Sequence, residues 1–330
     1  RACGVGVDVF SLGFGPRLVG KKNGRTDYRI SAVPLGGYVK MVGEDPSSEI
    51  SEKDKALSFT HKSVWIRMAI AVAGPLFNLL LAAVVFFVIA WTHGENYLAP
   101  EIAGVLEGSP AAAAGIQPGD EVTAINGRKV TSWEDVHDYI KESGKGPLTI
   151  VLVREDERRA VTLTPKRVTE KNLFGEDVTR YIVGISAAVK HRDVGFFEAL
   201  YQGARDTLVW CGLTVQIIYK ILAGAVSPKT LGGPIMIAQF SGQSAQEGIL
   251  SLFVFLAVLS VNLGIINLFP IPILDGGHLV FYLIEAVRGK PLSLRTREIA
   301  QQVGLFLLIL LMAFVIYNDL VRVFTGKTVG

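Results

Sequence analysis

The sequence predicts an α-helical polytopic membrane protein with a small membrane-associated β-hairpin region on its cytoplasmic side and an inserted α+β module. Half of its 330 residues are hydrophobic and the mean hydropathy is +0.39, which is too apolar for an ordinary soluble domain. The apolar residues form long uncharged runs separated by stretches of soluble composition. Because about 20 apolar residues in a helix cross a bilayer, these runs predict membrane spans.

Each segment of the chain has its own pattern. Residues 1–68 hold no membrane helix, and the pair Asn23-Gly24 between two short β-like runs is a strong hairpin signal. The uncharged run 69–91 predicts the first spanning helix, and residues 92–190 predict one compact α+β module. The remaining predicted segments are an interfacial amphipathic helix and loop at 191–248, a spanning helix at 249–274, a cytoplasmic-side segment at 275–299, a spanning helix at 300–318 and a tail at 319–330.

The first part of the segment 191–248 leaves two interpretations open. Apolar side chains recur there at near-helical spacing, but Glu198, Arg205, Asp206 and Lys220 interrupt them. We expect an amphipathic helix that lies in the membrane interface. The alternative is a further spanning helix.

Basic residues are concentrated before the first apolar run and, as Arg288, Lys290, Arg295 and Arg297, between the last two. The positive-inside rule therefore predicts that both regions face the cytoplasm. No basic stripe with interleaved aromatic residues occurs, so nucleic acid is not an expected partner. The only cysteines are Cys3 and Cys211, which excludes a disulfide framework and disfavours a cysteine zinc site.

One acidic residue stands at the end of a membrane run. The uncharged stretch that starts at Ile249 ends at Asp275, and a carboxylate at membrane depth is costly and indicates a functional site. Pro270 and Pro272 before it break the helix and free backbone groups that a continuous helix would satisfy. An acid on a broken membrane helix indicates a metal ligand or an ion relay.

The motif Asn267-x-x-Pro270-x-Pro272-x-Leu274-Asp275-Gly276 resembles the site-2 protease family of intramembrane zinc metalloproteases. The similar branch is bacterial, of the regulator-of-sigma-E protease type, and cleaves transmembrane anti-sigma factors and signal-peptide remnants. The order of the motifs over essentially the whole chain strengthens the resemblance. Further similar motifs are Phe10-Ser-Leu-Gly-Phe-Gly15, Pro34-Leu-Gly-Gly-Tyr-Val-Lys40, Ala73-Gly74-Pro75-x-x-Asn78 and Gly232-Gly233-Pro234-Ile235.

The resemblance implies a zinc site. In that family two histidines of an H-E-x-x-H helix and the aspartate of the L-D-G motif hold zinc, and the glutamate is the general base. Catalytic zinc sites combine three protein ligands with a water that becomes acidic enough to act near neutral pH. Carried over to this chain, Asp275 is the third zinc ligand.

The chain departs from the family pattern because it contains no H-E-x-x-H. Its five histidines are His61, His93, His137, His191 and His278. We expect that the motif lies upstream of Arg1, that the chain is truncated before or within its first membrane helix, and that it is inactive as given. The alternative is a natural pseudoenzyme.

Other candidate residues carry competing interpretations. Asp275 is also a good helix N-cap residue. His278 is either a supporting group or a structural one, and direct metal ligation is the alternative. Asn267 and Asn78 either join helices by hydrogen bonds or, as the resemblance implies, lie near the catalytic centre together with Pro270 and Pro272. Gly36 and Gly37 form either a plain turn or part of a re-entrant hairpin whose edge binds an unwound substrate as an added strand.

The resemblance identifies the module as a PDZ domain on the periplasmic side of a bacterial inner membrane. Its expected groove lies between the strand Ile102–Val105 and the helix near Val136 and Ile140. The groove either binds a peptide or filters substrates by size. The implied partners are a single-pass transmembrane substrate and the bilayer. Two other functions stay open: a non-catalytic membrane scaffold and an ion-coupled transporter.

Overall fold

A computed structural model describes residues 2–44, 50–171 and 177–325, so part of the polar loop after Glu44 and the last residues of the expected tail lie outside it. The strands are β1 (Val7–Asn23), β2 (Thr26–Met41), β3 (Glu95–Val105), β4 (Glu121–Ile125), β5 (Arg128–Lys129), β6 (Leu148–Arg154), β7 (Glu157–Leu163), β8 (Lys166–Lys171), β9 (Asp177–Ile182) and β10 (Ile185–Arg192). The α-helices are α1 (Val64–His93), α2 (Pro110–Ala113), α3 (Trp133–Ser143), α4 (Phe196–Leu222), α5 (Pro234–Glu247), α6 (Ile249–Asn267), α7 (Asp275–Arg288) and α8 (Leu294–Thr325). The chain divides into two compact units, residues 1–82 with 231–330, and residues 83–230.

The hairpin expected at Asn23-Gly24 is confirmed, and Gly24 has the positive φ of +60° that such a turn needs. β1 has 17 residues and continues well beyond the expected run Val7–Gly15, whereas β2 has 16 residues and nearly matches the expected run Tyr28–Met41. Residues 9–12 of β1 are in register both with residues 27–30 and with residues 37–40 of β2. The apolar side chains of this pair remain largely exposed, in keeping with a membrane-associated region.

Gly36 and Gly37 lie inside β2 and not in a plain turn. Gly36 has a φ of +78°, a conformation that residues with a side chain rarely adopt. A Cβ atom on Gly37 would lie 2.3 Å from the carbonyl oxygen of Ser11, so the two backbones approach too closely for any side chain. Both glycines therefore have a structural reason to be glycine.

Among the described residues, three helices are long and apolar enough to cross a membrane: α1, α6 and α8. α1 is longer than the expected 69–91 and already includes Arg67. α6 ends at Asn267 and not at 274, because Pro270 and Pro272 follow at once. α8 has 32 residues and continues to Thr325, so the residues expected to begin a tail at 319 are helical.

Two further helices lie within the segments expected as an interfacial helix with a loop (191–248) and as a cytoplasmic-side segment (275–299). α5 follows Gly233 within the expected loop, and α7 begins at Asp275. α5 is held at its N-terminus by Asp319 of α8, whose carboxylate accepts hydrogen bonds from the backbone N–H of Gly233, Ile235 and Met236 at 3.1, 3.0 and 3.2 Å. Asp319 is buried, and it satisfies donors that a helix start leaves free.

The inserted module contains a sheet in the order β10-β3-β4-β6-β7, with β5 beside β4, and a separate β8–β9 pair. α3 packs on this sheet. The hydrophobic core of the module includes the fully buried Ile125, Val136, Leu148 and Ile150. Helix α3 starts with a capping box, in which Ser132 accepts from Asp135 N–H and the Asp135 carboxylate accepts from Ser132 N–H. These contacts explain why a charged, weakly apolar segment forms a stable helix.

An ion pair between the buried Asp120, which precedes β4, and Arg154 of β6 joins two parts of the module. The Asp120 carboxylate accepts hydrogen bonds from Nε and Nη2 of Arg154 at 2.6 and 2.8 Å and from Gln117 N–H at 2.9 Å. The Arg154 guanidinium holds the pKa of Asp120 below its usual range. Asp120 is thus fixed in its ionised form.

α4 packs against the second half of α1. A Cβ on Gly203 would lie 2.6 Å from the carbonyl oxygen of Ala83, so the helices meet at this glycine. Phe87 and Trp91 of α1 make edge-to-face ring contacts with Phe196 of α4. α4 is not among the three candidate spans, and its interfacial position stays a prediction.

Candidate metal-binding site around Asp275

The chain between α6 and α7 folds back onto the start of α7. Leu274 N–H donates to the carbonyl of Ile271 at 2.8 Å, and Gly277 N–H donates to the carbonyl of Leu274 at 3.0 Å. Leu274 is the N-cap residue and Asp275 is the first residue of α7, without a side-chain capping bond. The N-cap interpretation of Asp275 is therefore wrong, and its carboxylate is available for another role.

Gly276 and Gly277 make this reversal possible. A Cβ on Gly276 would lie 2.3 Å from the carbonyl oxygens of Leu268 and Phe269, and one on Gly277 would lie 2.2 Å from that of Ile271. Neither position has room for a side chain. The Asp-Gly-Gly sequence thus places an acid at a helix start that packs tightly against the preceding turn.

The Asp275 carboxylate faces α1 at Gly74. Its Oδ2 atom lies 3.0 Å from the position that a Cβ on Gly74 would take, so the helix backbone and the acid are in close contact. No residue that the structure describes donates a hydrogen bond to this carboxylate. Asp275 and His278 line one cavity of about 460 Å³. An acid without a donor in a cavity is suited to bind a cation.

The Gly74-Pro75-x-x-Asn78 motif forms the contact of α1 with α6. A Cβ on Gly264 would lie 3.1 Å from the carbonyl oxygen of Pro75, and Ser260 Oγ donates to the backbone carbonyl of Asn78 at 2.9 Å. A proline inside a helix removes one N–H donor and leaves backbone carbonyls to other partners. Pro75 removes the N–H that would bind the carbonyl of Ala71, whereas the Ser260 hydroxyl is an additional partner for the Asn78 carbonyl further along α1.

The other predicted site residues do not line the cavity of Asp275. Asn267 is the last residue of α6, and Pro272 packs on Gly304 of α8 with its Cδ 3.2 Å from the Cβ position. Gly36 and Gly37 lie in β2. The structure therefore joins Asp275 to Gly74, Gly276 and His278, whereas the roles predicted for Asn267, Asn78, Pro270, Pro272 and the two β2 glycines stay predictions.

Three charged residues that the sequence did not single out lie in the same cavity wall or behind it. The Glu285 carboxylate of α7 binds Arg67 of α1 and Arg297 of α8, and the Arg67 guanidinium lies 5.0 Å from the centre of the Tyr282 ring. The only sequence signal was a lone acid in the apolar stretch Leu279–Val287. Arg67 and Arg297 belong to the basic regions before α1 and between α6 and α8, which the positive-inside rule assigns to the cytoplasmic side.

The residues at Asp275 do not by themselves complete a zinc site. Catalytic zinc takes three protein ligands and a water. Within the described ranges no group of three His, Cys, Asp or Glu side chains is close enough to hold a metal ion. Asp275 thus offers one carboxylate, and the described residues alone do not complete a zinc site.

These features define a polytopic membrane protein with an incomplete carboxylate site between a proline-containing helix and a glycine-rich helix start. The model of the family described as peptidase family M50 matches residues 1–311. The chain belongs to this family.

Several relatives carry the printed name "putative zinc metalloprotease". One from Agrobacterium fabrum is 38% identical over 97% of this chain and 89% of its own. One from Mesorhizobium japonicum is 37% identical over 97% of this chain and 92% of its own. One from Campylobacter jejuni is 36% identical over 98% and 87%.

Two solved structures resemble smaller parts of the chain. The PDZ domain of an SdrC-like protein from Listeria monocytogenes is 21% identical and covers 28% of this chain and 88% of its own, with a TM-score of 0.23. A solution structure of a protein from Geobacillus thermodenitrificans is 22% identical and covers 22% of this chain and 82% of its own, with a TM-score of 0.20.

Proposed function

We propose that the intact protein is an intramembrane zinc endopeptidase of the site-2 type, which cleaves the transmembrane helix of a single-pass substrate. The observation that carries the proposal is the carboxylate of Asp275, which faces a cavity beside Gly74 without a hydrogen-bond donor among the described residues. Membership of peptidase family M50 and relatives named as zinc metalloproteases support the assignment of zinc.

Asp275 is one metal ligand in this proposal. The Gly276–Gly277 reversal fixes its backbone, and Gly74 leaves room for its carboxylate against α1. The H-E-x-x-H histidines and the base do not occur in the 330 residues. These residues on their own therefore neither hold zinc tightly nor cleave, and the proposal requires further ligands in the intact protein.

The membrane environment in the proposal is a bacterial inner membrane, with the inserted module in the periplasm. The basic residues before α1 and before α8 support this orientation. The module is proposed to be a PDZ domain. A groove of about 520 Å³, lined by Gly104 and Val105 of β3, by Trp133, Val136 and Ile140 of α3, and by residues 181–186, lies where a peptide would bind.

Substrate handling involves the β1–β2 region. A substrate helix hides its carbonyls in internal hydrogen bonds, so it must unwind before hydrolysis. The strand around Gly36 and Gly37 offers a backbone edge with exposed apolar neighbours. Asn267 at the end of α6 and Asn78 in the middle of α1 supply polar groups. The substrate class that fits is an anti-sigma factor or a signal-peptide remnant.

Cleavage of a model single-pass substrate by the intact protein in proteoliposomes tests the proposal. Asp275→Asn should abolish cleavage, whereas Asp206→Asn on α4, which changes another partly exposed acid, should leave it intact. Full activity of the Asp275 variant would contradict the ligand assignment. An intact coding region without H-E-x-x-H, together with no cleavage by the unaltered protein, would favour the membrane scaffold.

A further inference from the structure

One face of α7 carries four polar side chains. Asp275, His278, Tyr282 and Glu285 follow one another at intervals of three, four and three residues, which places them along a single stripe of a helix. The His278 and Tyr282 rings stack at 6.4 Å, and Tyr282 is buried. The stripe runs from the candidate metal ligand to an ion pair almost three turns away.

The ion pair joins the far end of this stripe to α1. The Arg67 guanidinium donates from Nη1 to Glu285 Oε2 at 3.2 Å and from Nη2 to Oε1 at 2.5 Å, so the contact is bidentate. The side chains are only 9% and 13% exposed. Arg297 Nη2 adds a third hydrogen bond to Glu285 Oε2 at 3.3 Å.

The near end of the stripe touches the same helix. Asp275 lies against Gly74, which follows Arg67 by seven residues, or two turns, on α1. α1 therefore meets α7 at two places, and the chains run in opposite directions between them. At about 1.5 Å and 100° per residue, a slip of α7 by one residue would break the bidentate pair and turn Asp275 away from Gly74.

A buried ion pair is a weak source of net stability, because removing both charges from water costs about as much as their attraction returns. Its best-attested use is to fix one register among several packing arrangements. The planar fork of arginine fits this use, since lysine has no comparable geometry with a carboxylate. Tyr282 beneath Arg67 and Arg297 beside Glu285 restrict the two side chains further.

We propose that Arg67 and Glu285 are positioning residues, which set the rotation and height of α7 on α1 and so fix the direction of the Asp275 carboxylate. The consequence for catalysis rests on the proposed function, but the geometric claim does not. The pair acts through helix register and has no contact with substrate or metal in this account.

The thiol reactivity of an Asp275→Cys variant of the full chain measures this geometry without metal or substrate. Cys3→Ser and Cys211→Ser remove the native thiols, and a small methanethiosulfonate reagent in detergent micelles labels position 275. Arg67→Lys keeps the charge but loses the fork, so it should raise the labelling rate about tenfold, the factor expected for one lost charge-assisted hydrogen bond. Arg128→Lys, in the exposed pair with Glu142, is the control and should change nothing.

A triple variant separates register from stability. Arg67→Met, Glu285→Met and Arg297→Met remove the three charges together, and replacing a whole buried ion cluster by apolar residues is often neutral for stability. The triple variant should still raise the labelling rate at position 275, whereas its unfolding midpoint should match that of the parent protein. An unchanged labelling rate in Arg67→Lys, or in the triple variant if Arg67→Lys does not fold, would overturn the proposal.

A second readout separates this proposal from the proposed function. In the intact protein, Arg67→Lys should raise the dissociation constant for zinc about tenfold, the factor expected for one lost charge-assisted hydrogen bond. Competition with a chelator measures this constant. If Asp275→Asn leaves zinc binding unchanged, the peptidase proposal fails, whereas the labelling result still decides the positioning role. If Arg67→Lys changes neither the labelling rate at position 275 nor the zinc affinity, the positioning role is wrong.

Discussion

Replacement of Gly276 by alanine tests the packing that presents Asp275. The new Cβ would stand 2.3 Å from two carbonyl oxygens, and an ordinary contact begins near 3.4 Å, so the turn must retreat by about 1 Å. Overpacking of this kind costs about 1–3 kcal/mol. The displaced backbone belongs to the turn before α7 and cannot be accommodated by rotating a flexible side chain.

The matched control is Gly242→Ala in α5. Nothing lies within 4 Å of its Cβ position, so alanine should stabilise the helix by about 0.5–1 kcal/mol. The two variants should therefore differ by about 1.5–4 kcal/mol in the free energy of unfolding. Reversible unfolding of the full chain with SDS in mixed micelles measures the difference. Equal midpoints for the two variants would refute the close approach at Gly276.

Three further predictions follow from other contacts. Asp319→Asn weakens three backbone hydrogen bonds at the start of α5, so amide exchange in that helix should accelerate about tenfold or more, and unchanged exchange would exclude the anchor. Arg154 lowers the pKa of Asp120, so the pair stabilises the module above the unfolded pKa of about 4 and this contribution disappears as pH falls. Asp120→Asn should remove that part of the acid transition, followed by Trp133 fluorescence with the other tryptophans replaced, and an identical acid transition would contradict it. Gly203→Ala should lower the SDS unfolding midpoint, because the new Cβ meets the α1 backbone, whereas Gly212→Ala on the same helix should not. Equal midpoints would place α4 elsewhere.

Features that depend on neighbouring residues were predictable from local signals. The Asn23-Gly24 turn is one of them, and Gly24 has the positive φ of +60° that such a turn needs. The expected groove near Val105, Val136 and Ile140 coincides with an observed cavity. Such features are predictable because few residues can adopt the required backbone or capping geometry.

Helix ends and long-range contacts were less accessible to sequence reasoning. Charged residues such as Arg67 argued for a late start of α1, but Glu285 neutralises Arg67 across 218 positions of the chain. α5 has a weakly apolar sequence and depends on Asp319, which lies 83 or more residues away from the backbone it binds. A pattern within one segment contains no information about such partners.

The candidate site was predictable only in part. Asp275 was identified because a carboxylate in an apolar run is rare, and its glycine partners followed from the motif. The contact with Gly74 and the second anchoring point at Glu285 needed the fold, because they depend on how α7 is rotated against α1.

The zinc content of the intact protein tests the central claim most directly. Purified protein expressed from the complete coding region should bind one zinc ion per chain. Asp275→Asn should strongly lower the zinc occupancy, whereas the folded fraction should stay unchanged. Asp206→Asn should retain the metal. Full zinc occupancy in the Asp275 variant would contradict the account.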